Sequence, residues 1–236
     1  MKRVLIKISG EALTSRSGMD YGADSRIFEI CQAIKQVVEN GVGISIIVGG
    51  GNIIRGAECG ENAWIKRETA DALGMLATAM NSILLRDLLT SAGLEVTVVS
   101  SLRLPFDIES NDVYSVRRLI SQHRIIIFAC GVGLPYFSTD TMAVVAASLS
   151  MSDAILKATK TDGIYDKDPN KYDDAVYIPK LTYQEALQRN IRIMDSQAFA
   201  LAEQRQLPIH IFSMYEPNCF ARSICNDIRQ SVVFGR

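Results

Sequence analysis

Ile44-Ser45-Ile46-Ile47-Val48-Gly49-Gly50-Gly51-Asn52 is the stretch whose reading decides the fold. Its first part is almost continuously apolar and β-branched, as expected of a central strand covered on both faces. Three glycines follow at once. In open α/β sheets, ligands bind beyond the carboxyl ends of the strands. Successive glycines expose consecutive backbone N–H groups and make a nest for an anion. A plain turn needs one glycine, so three favour a phosphate site.

The same pattern recurs outward from this segment. Val4 to Ile8, Val96 to Val99, Ile125 to Ala129, Ala154 to Leu156 and Ile209 to Phe212 read as strands. Between them lie helical patterns. Ser25 to Glu39 has apolar residues at Ile27, Ile30, Ile34, Val37 and Val38, which is helical spacing. Thr69 to Leu89 and Asp140 to Leu149 read as helices too. Thr182 with Glu185 forms a capping-box pattern, and Asp195 stands at the cap of a helix to Glu203. Strand–helix alternation predicts an α/β fold, a three-layer αβα sandwich with a mostly parallel central sheet. Turn signals at Asp162-Gly163 and Asp168-Pro169 make Thr159 to Ile178 a loop-rich insertion or hairpin. No Pro/Gly/Ser-rich linker divides the 236 residues, so a single domain is expected.

Composition narrows the function classes. Hydrophobic residues make up 48% and charged residues 22%, with a formal net charge of −1. That is an ordinary globular balance, and bulk charge points to no nucleic-acid or membrane partner. No apolar run approaches the roughly 18–20 residues of a membrane span. The first residues, Met1 to Lys7, read as a strand and not as a signal peptide. Five scattered cysteines with no C-x-x-C pair fit reduced thiols in a cytoplasm. With only His123 and His210, a His-rich metal site and a Ser-His-Asp hydrolase are both unexpected.

Four strand ends carry candidate chemistry. Lys7-Ile8-Ser9-Gly10 puts a lysine and a glycine at the end of the first strand; the alternative is a lysine that reaches to solvent. Gly49-Gly50-Gly51-Asn52 is followed by Arg55-Gly56, a further cation for a phosphate. Neither G-x-G-x-x-G nor the P-loop pattern is present. Gly131-Val132-Gly133-Leu134-Pro135-Tyr136-Phe137-Ser138-Thr139-Asp140 follows another strand and opens a helix, where hydroxyls and free N–H groups suit a phosphate. Capping of that helix would explain one residue of the Ser-Thr-Asp cluster. Lys157 to Pro169 adds a lysine at the same edge, with Tyr165 able to pack on a base. Two lysines and two glycine loops at one edge suit the charge of a transferring phosphoryl group, which needs little beyond positioning and electrostatics.

Lys7-Ile-Ser-Gly-Glu-Ala-Leu13, Gly49 to Asn52 with Arg55-Gly56, Asp71 with Gly74-Met-Leu-Ala-Thr78 and Met80-Asn81, Pro135 to Asp140, and Lys157-Ala-Thr-Lys-Thr-Asp-Gly163 together resemble the bacterial uridylate kinases. These have the amino-acid kinase fold, and the likeness runs from Val4 to about Ser213. It implies transfer of the ATP γ-phosphate to UMP, with Mg²⁺ accompanying ATP, in pyrimidine nucleotide biosynthesis. By position, Lys7, Asp140 and Asp195 would be catalytic. Lys7, Ile8, Ser9, Gly10, Gly51, Arg55, Thr159, Tyr165 and Asp168 would bind ATP. Gly50, Asp71 and the run Val132, Gly133, Leu134, Pro135, Tyr136, Phe137, Ser138 and Thr139 would bind UMP. An acceptor lobe would span about residues 1–150 and an ATP lobe about 151–236. The family resemblance also implies a homohexamer, activation by GTP and inhibition by UTP, with Arg86-Asp87 in the GTP-linked region. Val132 and Leu134 stand where the family usually has threonine and asparagine, and Ala146 and Leu149 where it has arginine and glutamate. Two other readings stay open at this point: a related kinase acting on a carboxylate or carbamate, and a nucleotide-binding regulator without catalysis.

Overall fold

The computed structural model describes residues 1–15, 18–20, 22, 24–54 and 64–235. Strand β1 (Arg3–Ile8) leads into a 3₁₀ turn (Gly10–Leu13) and a small hairpin, β2 (Thr14–Ser15) with β3 (Gly18–Met19). Helix α1 (Arg26–Glu39), capped by the Ser25 side chain, returns the chain to β4 (Gly43–Val48). Next come α2 (Arg67–Ser91), β5 (Val96–Ser100), β6 (Glu109–Ser110), α3 (Val113–Ser121) and β7 (Ile125–Ala129). Helix α4 (Thr139–Leu149) and β8 (Ala154–Thr159) follow. The insertion forms an antiparallel pair, β9 (Ile164–Tyr165) and β10 (Tyr177–Ile178). The chain closes with β11 (Lys180–Thr182), α5 (Tyr183–Gln188), α6 (Ser196–Arg205), β12 (Ile209–Ser213), α7 (Cys219–Ile224) and β13 (Gln230–Phe234).

The main sheet runs β11-β13-β12-β8-β1-β4-β7-β5-β6. Every pairing in it is parallel except β12 with β13. The expected mostly parallel sheet is therefore observed, and β1, β4, β7, β8 and β12 end on one common edge. Alternate residues of each strand feed two separate cores. Val4, Ile6 and Ile8 pack toward α1, α2 and α7, whereas Leu5 packs with α4 and α6. Lys7 shares the face of Leu5, two residues earlier in the same strand. It lies in register with Lys157 of β8.

The structure adds elements that the sequence pattern left unread, chiefly α3 and β13. Asp112 caps α3 by accepting from Tyr114 and Ser115 backbone N–H groups at 2.9 and 3.0 Å. Only Val116 and Leu119 of α3 are buried, so its apolar stripe is short. Helix α2 is longer than expected and is apolar enough over 18 residues to cross a membrane by length and composition. Here its inner edge packs on β5, β7 and α1 and buries the polar residues Thr78, Asn81 and Ser82.

Candidate active site

The centre of the sheet edge is built on a carboxylate held between two ammonium groups. Ser138 caps α4, its hydroxyl accepting from the backbone N–H groups of Asp140 and Thr141 at 2.9 and 3.2 Å. The first turn of α4 thereby holds Asp140 over the ends of β1 and β8. Lys7 Nζ lies 3.0 Å from Asp140 Oδ1, and Lys157 Nζ lies 2.8 Å from Oδ2. Lys157 also donates to the carbonyl of Ile193. All three side chains are largely withdrawn from water, at 13%, 16% and 8% exposure for Lys7, Asp140 and Lys157. Burial alone would raise the pKa of Asp140, but the charges of Lys7 and Lys157 outweigh it and hold the group down at about 2. Burial, helped by the charge of Lys7, lowers Lys157 to about 8 despite the opposing pull of Asp140. The cluster of two cations and one anion keeps a net positive charge facing the sheet edge.

The glycine loops close around this centre without side chains. A Cβ on Gly10 would come 2.2 Å from Asn52 Oδ1 and 2.4 Å from the Gly49 carbonyl oxygen, so only glycine fits there. A Cβ on Gly50 would meet the Gly74 carbonyl oxygen at 2.8 Å. Gly50 and Gly51 open onto a cleft of about 530 Å³, whose other walls include Asp71, Tyr136, Ser138, Thr139 and Asp195. Asp71 is clamped: Arg67 Nε lies 2.9 Å from both carboxylate oxygens, and the Tyr136 N–H donates to Oδ2 at 2.9 Å. The Tyr136 hydroxyl donates to Glu68. Tyr136 itself sits at φ +71°, a left-handed conformation that favours glycine. These contacts tie the loop after β7 to the first turns of α2.

Most of the expected residues meet at this edge. Gly50, Gly51, Asp71, Ser138 and Thr139 line one cleft, while Lys7 pairs with Asp140, the residue after Thr139, and Gly10 packs against Gly49 and Asn52. Ile8 turns its side chain into the core, so only its backbone faces the site. Ser9 caps the 3₁₀ turn by accepting from the Glu11 N–H at 3.4 Å. Val132 packs against the α4 side of the core, while Leu134, Tyr136 and Phe137 are exposed along the cleft. Pro135 is half-buried in the same loop. Arg55 and Gly56 lie outside the described residues. Asp195 caps α6, accepting from the Ala198 N–H at 2.7 Å, and also accepts from Ser138 and from Thr141 Oγ1 at 3.1 Å. Its carboxylate thus joins the starts of α4 and α6.

Thr159, Tyr165 and Asp168 stand apart from that cleft. Thr159 Oγ1 donates to the Thr161 carbonyl at 2.8 Å. Tyr165 and Asp168 line a second cleft of about 570 Å³ with Pro169 and Arg192. The Tyr165 hydroxyl donates to Asp162 Oδ1 at 2.6 Å, and its ring meets Tyr177 edge-on at 5.6 Å. The wall Asn190 to Arg192 is shared with a pocket that reaches Asp140. Among the described residues, no three acidic, histidine or cysteine side chains gather where a metal ion could sit. Lys157 was legible only as a lysine near the edge; its alignment beside Lys7 needs the β1–β8 pairing. Thr78 and Asn81 belong to motifs of the family resemblance, but their contacts with the loops are not readable from the sequence, where they stand only as polar residues in an apolar helix.

The pattern of the amino acid kinase family matches residues 2–213. A uridylate kinase of Campylobacter jejuni is 42% identical over 227 residues, covering 96% of this chain and 94% of that protein. A uridylate kinase of a Sulfurovum species is 44% identical over 216 residues, covering 91% of each. The crystal structure of UMP kinase from Bacillus anthracis superposes with a TM-score of 0.90 at 36% identity, covering 99% of this chain and 96% of that one. That of UMP kinase from Ureaplasma parvum gives 0.91 at 29% identity, covering 99% and 98%. The lysine–aspartate–lysine edge and the side-chain-free glycine loops are thus set in a fold shared along nearly its whole length, and the chain belongs to the amino acid kinase family, in its uridylate kinase branch.

Proposed function

We propose that this protein is a nucleoside monophosphate kinase that transfers the γ-phosphate of ATP to UMP, giving UDP and ADP. The observation that carries it is Asp140 between Lys7 and Lys157, at the foot of two glycine loops. A UMP phosphate oxygen attacks the γ-phosphorus, the new P–O bond forms, and the bond to the ADP oxygen breaks. The attacking oxygen is already anionic, so no general base is required. Catalysis then rests on alignment and on positive charge where charge is spread in the transition state. Lys7 and Lys157 supply that charge, and Asp140 holds them in place.

UMP takes the cleft between Asp71 and the loop Val132 to Thr139, on strands of the first 150 residues. ATP takes Lys7 to Gly10, Gly51 and Arg55 with its phosphates, and the cleft at Tyr165 and Asp168 with its adenosine. Asp195 acts through Ser138, as a positioning residue. Mg²⁺ enters with ATP, liganded by phosphate oxygens and water, and both Asp140 oxygens face lysines. The reading includes a cytoplasmic setting in pyrimidine nucleotide biosynthesis and a homohexamer. The stripe Leu73, Leu76 and Met80 on the outer face of α2, exposed by 40%, 44% and 58%, offers apolar surface for subunit contact. GTP activation and UTP inhibition belong to the same proposal; Arg86, Arg118 and Arg124 line a surface cleft beside β5, together with Asp107 and Glu109.

A coupled assay with ATP and each nucleoside monophosphate tests the core of the reading. UMP should be the preferred acceptor. Turnover with a carboxylate or carbamate in its place, or ATP binding with no acceptor turned over, would overturn it.

A further inference from the structure

We propose that Asn81 is a positioning residue for phosphoryl transfer, fixing the peptide groups of the glycine loop from the inner edge of α2. This rests on the reading of that loop as a phosphate cradle. Asn81 is fully buried, in the middle of a helix. A buried amide is costly unless its donors and acceptor are met. Asn81 meets them with the loop and not with its own helix. Its Nδ2 lies 2.7 Å from the Gly49 carbonyl oxygen and 2.7 Å from Asn52 Oδ1, and Asn52 Nδ2 returns to Asn81 Oδ1 at 3.3 Å.

The geometry gives this bond a directional consequence. A trans peptide is planar, with its C=O and N–H on opposite sides. Pinning the Gly49 carbonyl toward α2 therefore turns the Gly50 N–H away from α2. Asn52 extends the same control to the first loop, because its Oδ1 lies where a Cβ of Gly10 would stand 2.2 Å away. One side chain thus sets the direction of a donor in the second loop and the spacing between the two loops. Thr78, three residues earlier on the same edge, does the equivalent for the third loop: the Cys130 N–H donates to its Oγ1 at 2.8 Å. Neither residue needs to touch a nucleotide to matter. A neighbouring residue provides the contrast. Ser82 is equally buried, but its hydroxyl donates at 2.7 Å to the Thr78 carbonyl of its own helix.

The test is steady-state kinetics of the full chain with ATP and UMP, alongside thermal unfolding. Asn81→Leu keeps the branching at Cγ and removes both donors. It should lower kcat by at least ~10-fold while moving either KM by less than about threefold, the pattern of lost preorganisation. Asn52→Ala, which leaves the bond to Gly49, should lose less, and the double variant should be no worse than Asn81→Leu. Ser82→Ala should lower Tm without changing kcat. Wild-type kcat in Asn81→Leu would overturn the proposal, as would a Ser82→Ala loss of kcat in proportion to its loss of Tm. If Asn81→Leu does not fold, Asn81→Ala, which removes the bond to Gly49 without adding bulk, decides: unchanged kcat overturns the proposal, a clear loss with little change in KM upholds it. Wild-type protein that turns over no UMP would instead overturn the underlying reading.

Discussion

Asp140 is a carboxylate with two buried cations on it, and each of the three groups depends on the others. Removing one partner of a buried pair leaves an uncompensated charge and costs on the order of 3–5 kcal/mol. Lys7→Ala and Lys157→Met should each cut kcat by more than ~10², the scale of losing one preorganised charge contact. Wild-type turnover in either variant would remove that lysine from the phosphate site. The pH dependence follows from Lys157, lowered from 10.5 to about 8 by burial. Between those values the unfolded chain binds more protons than the native one, so folding stability should rise as pH climbs through that window. Activity should move the other way. kcat/KM should fall above pH about 8 as the free enzyme loses the ammonium, and the limb for kcat should lie higher, because bound phosphates favour the charged form. Coincident limbs would mean that Lys157 does not face the phosphates.

At the scale of the element, α2 does more than its apolar pattern suggests. Its inner edge presses Gly74 and Ala77 against the glycine loop, where a Cβ on Gly50 would meet Ala77 Cβ at 2.9 Å. Gly50→Ala should therefore displace loop or helix, raising the KM for UMP more than that for ATP and lowering Tm. An unchanged KM for UMP would separate Gly50 from the acceptor cleft. Strand and helix positions around this element were legible because continuous β-branched runs alternate with 3.6-residue periodicity. The capping box at Thr182 is present as the spacing to Glu185 implies, its hydroxyl meeting the Glu185 N–H and the Glu185 carboxylate meeting the Thr182 N–H at 2.8 Å. The strand β13 was not legible, because Gln230 to Phe234 has only a short alternation and its pairing with β12 is antiparallel in an otherwise parallel sheet. The anchoring roles of Asn81 and Thr78 were illegible for another reason. They depend on which loops α2 crosses, and local sequence carries no such information.

At the scale of the whole molecule, the sites come from topology. Lys7 and Lys157 are distant in sequence yet lie side by side because β1 enters the sheet between β4 and β8. The sequence placed each lysine at a strand end but could not state that the two strands are neighbours. The outer stripe of α2 belongs to this scale too. Met80→Lys puts a charge in the middle of an exposed apolar face. If that face joins subunits, sedimentation should report a smaller assembly than the wild type; an unchanged assembly would place the contact elsewhere.

The placement of β1 has a consequence in time as well as in space. Its pairing with β8 closes a loop of most of the first two-thirds of the chain, and long-range parallel pairing is slow to form. The two ammonium groups come together only when that pairing is made. Recovery of phosphoryl transfer after dilution from denaturant is thus a clock for the last joining of the sheet's two halves, and it should lag behind the return of helical signal.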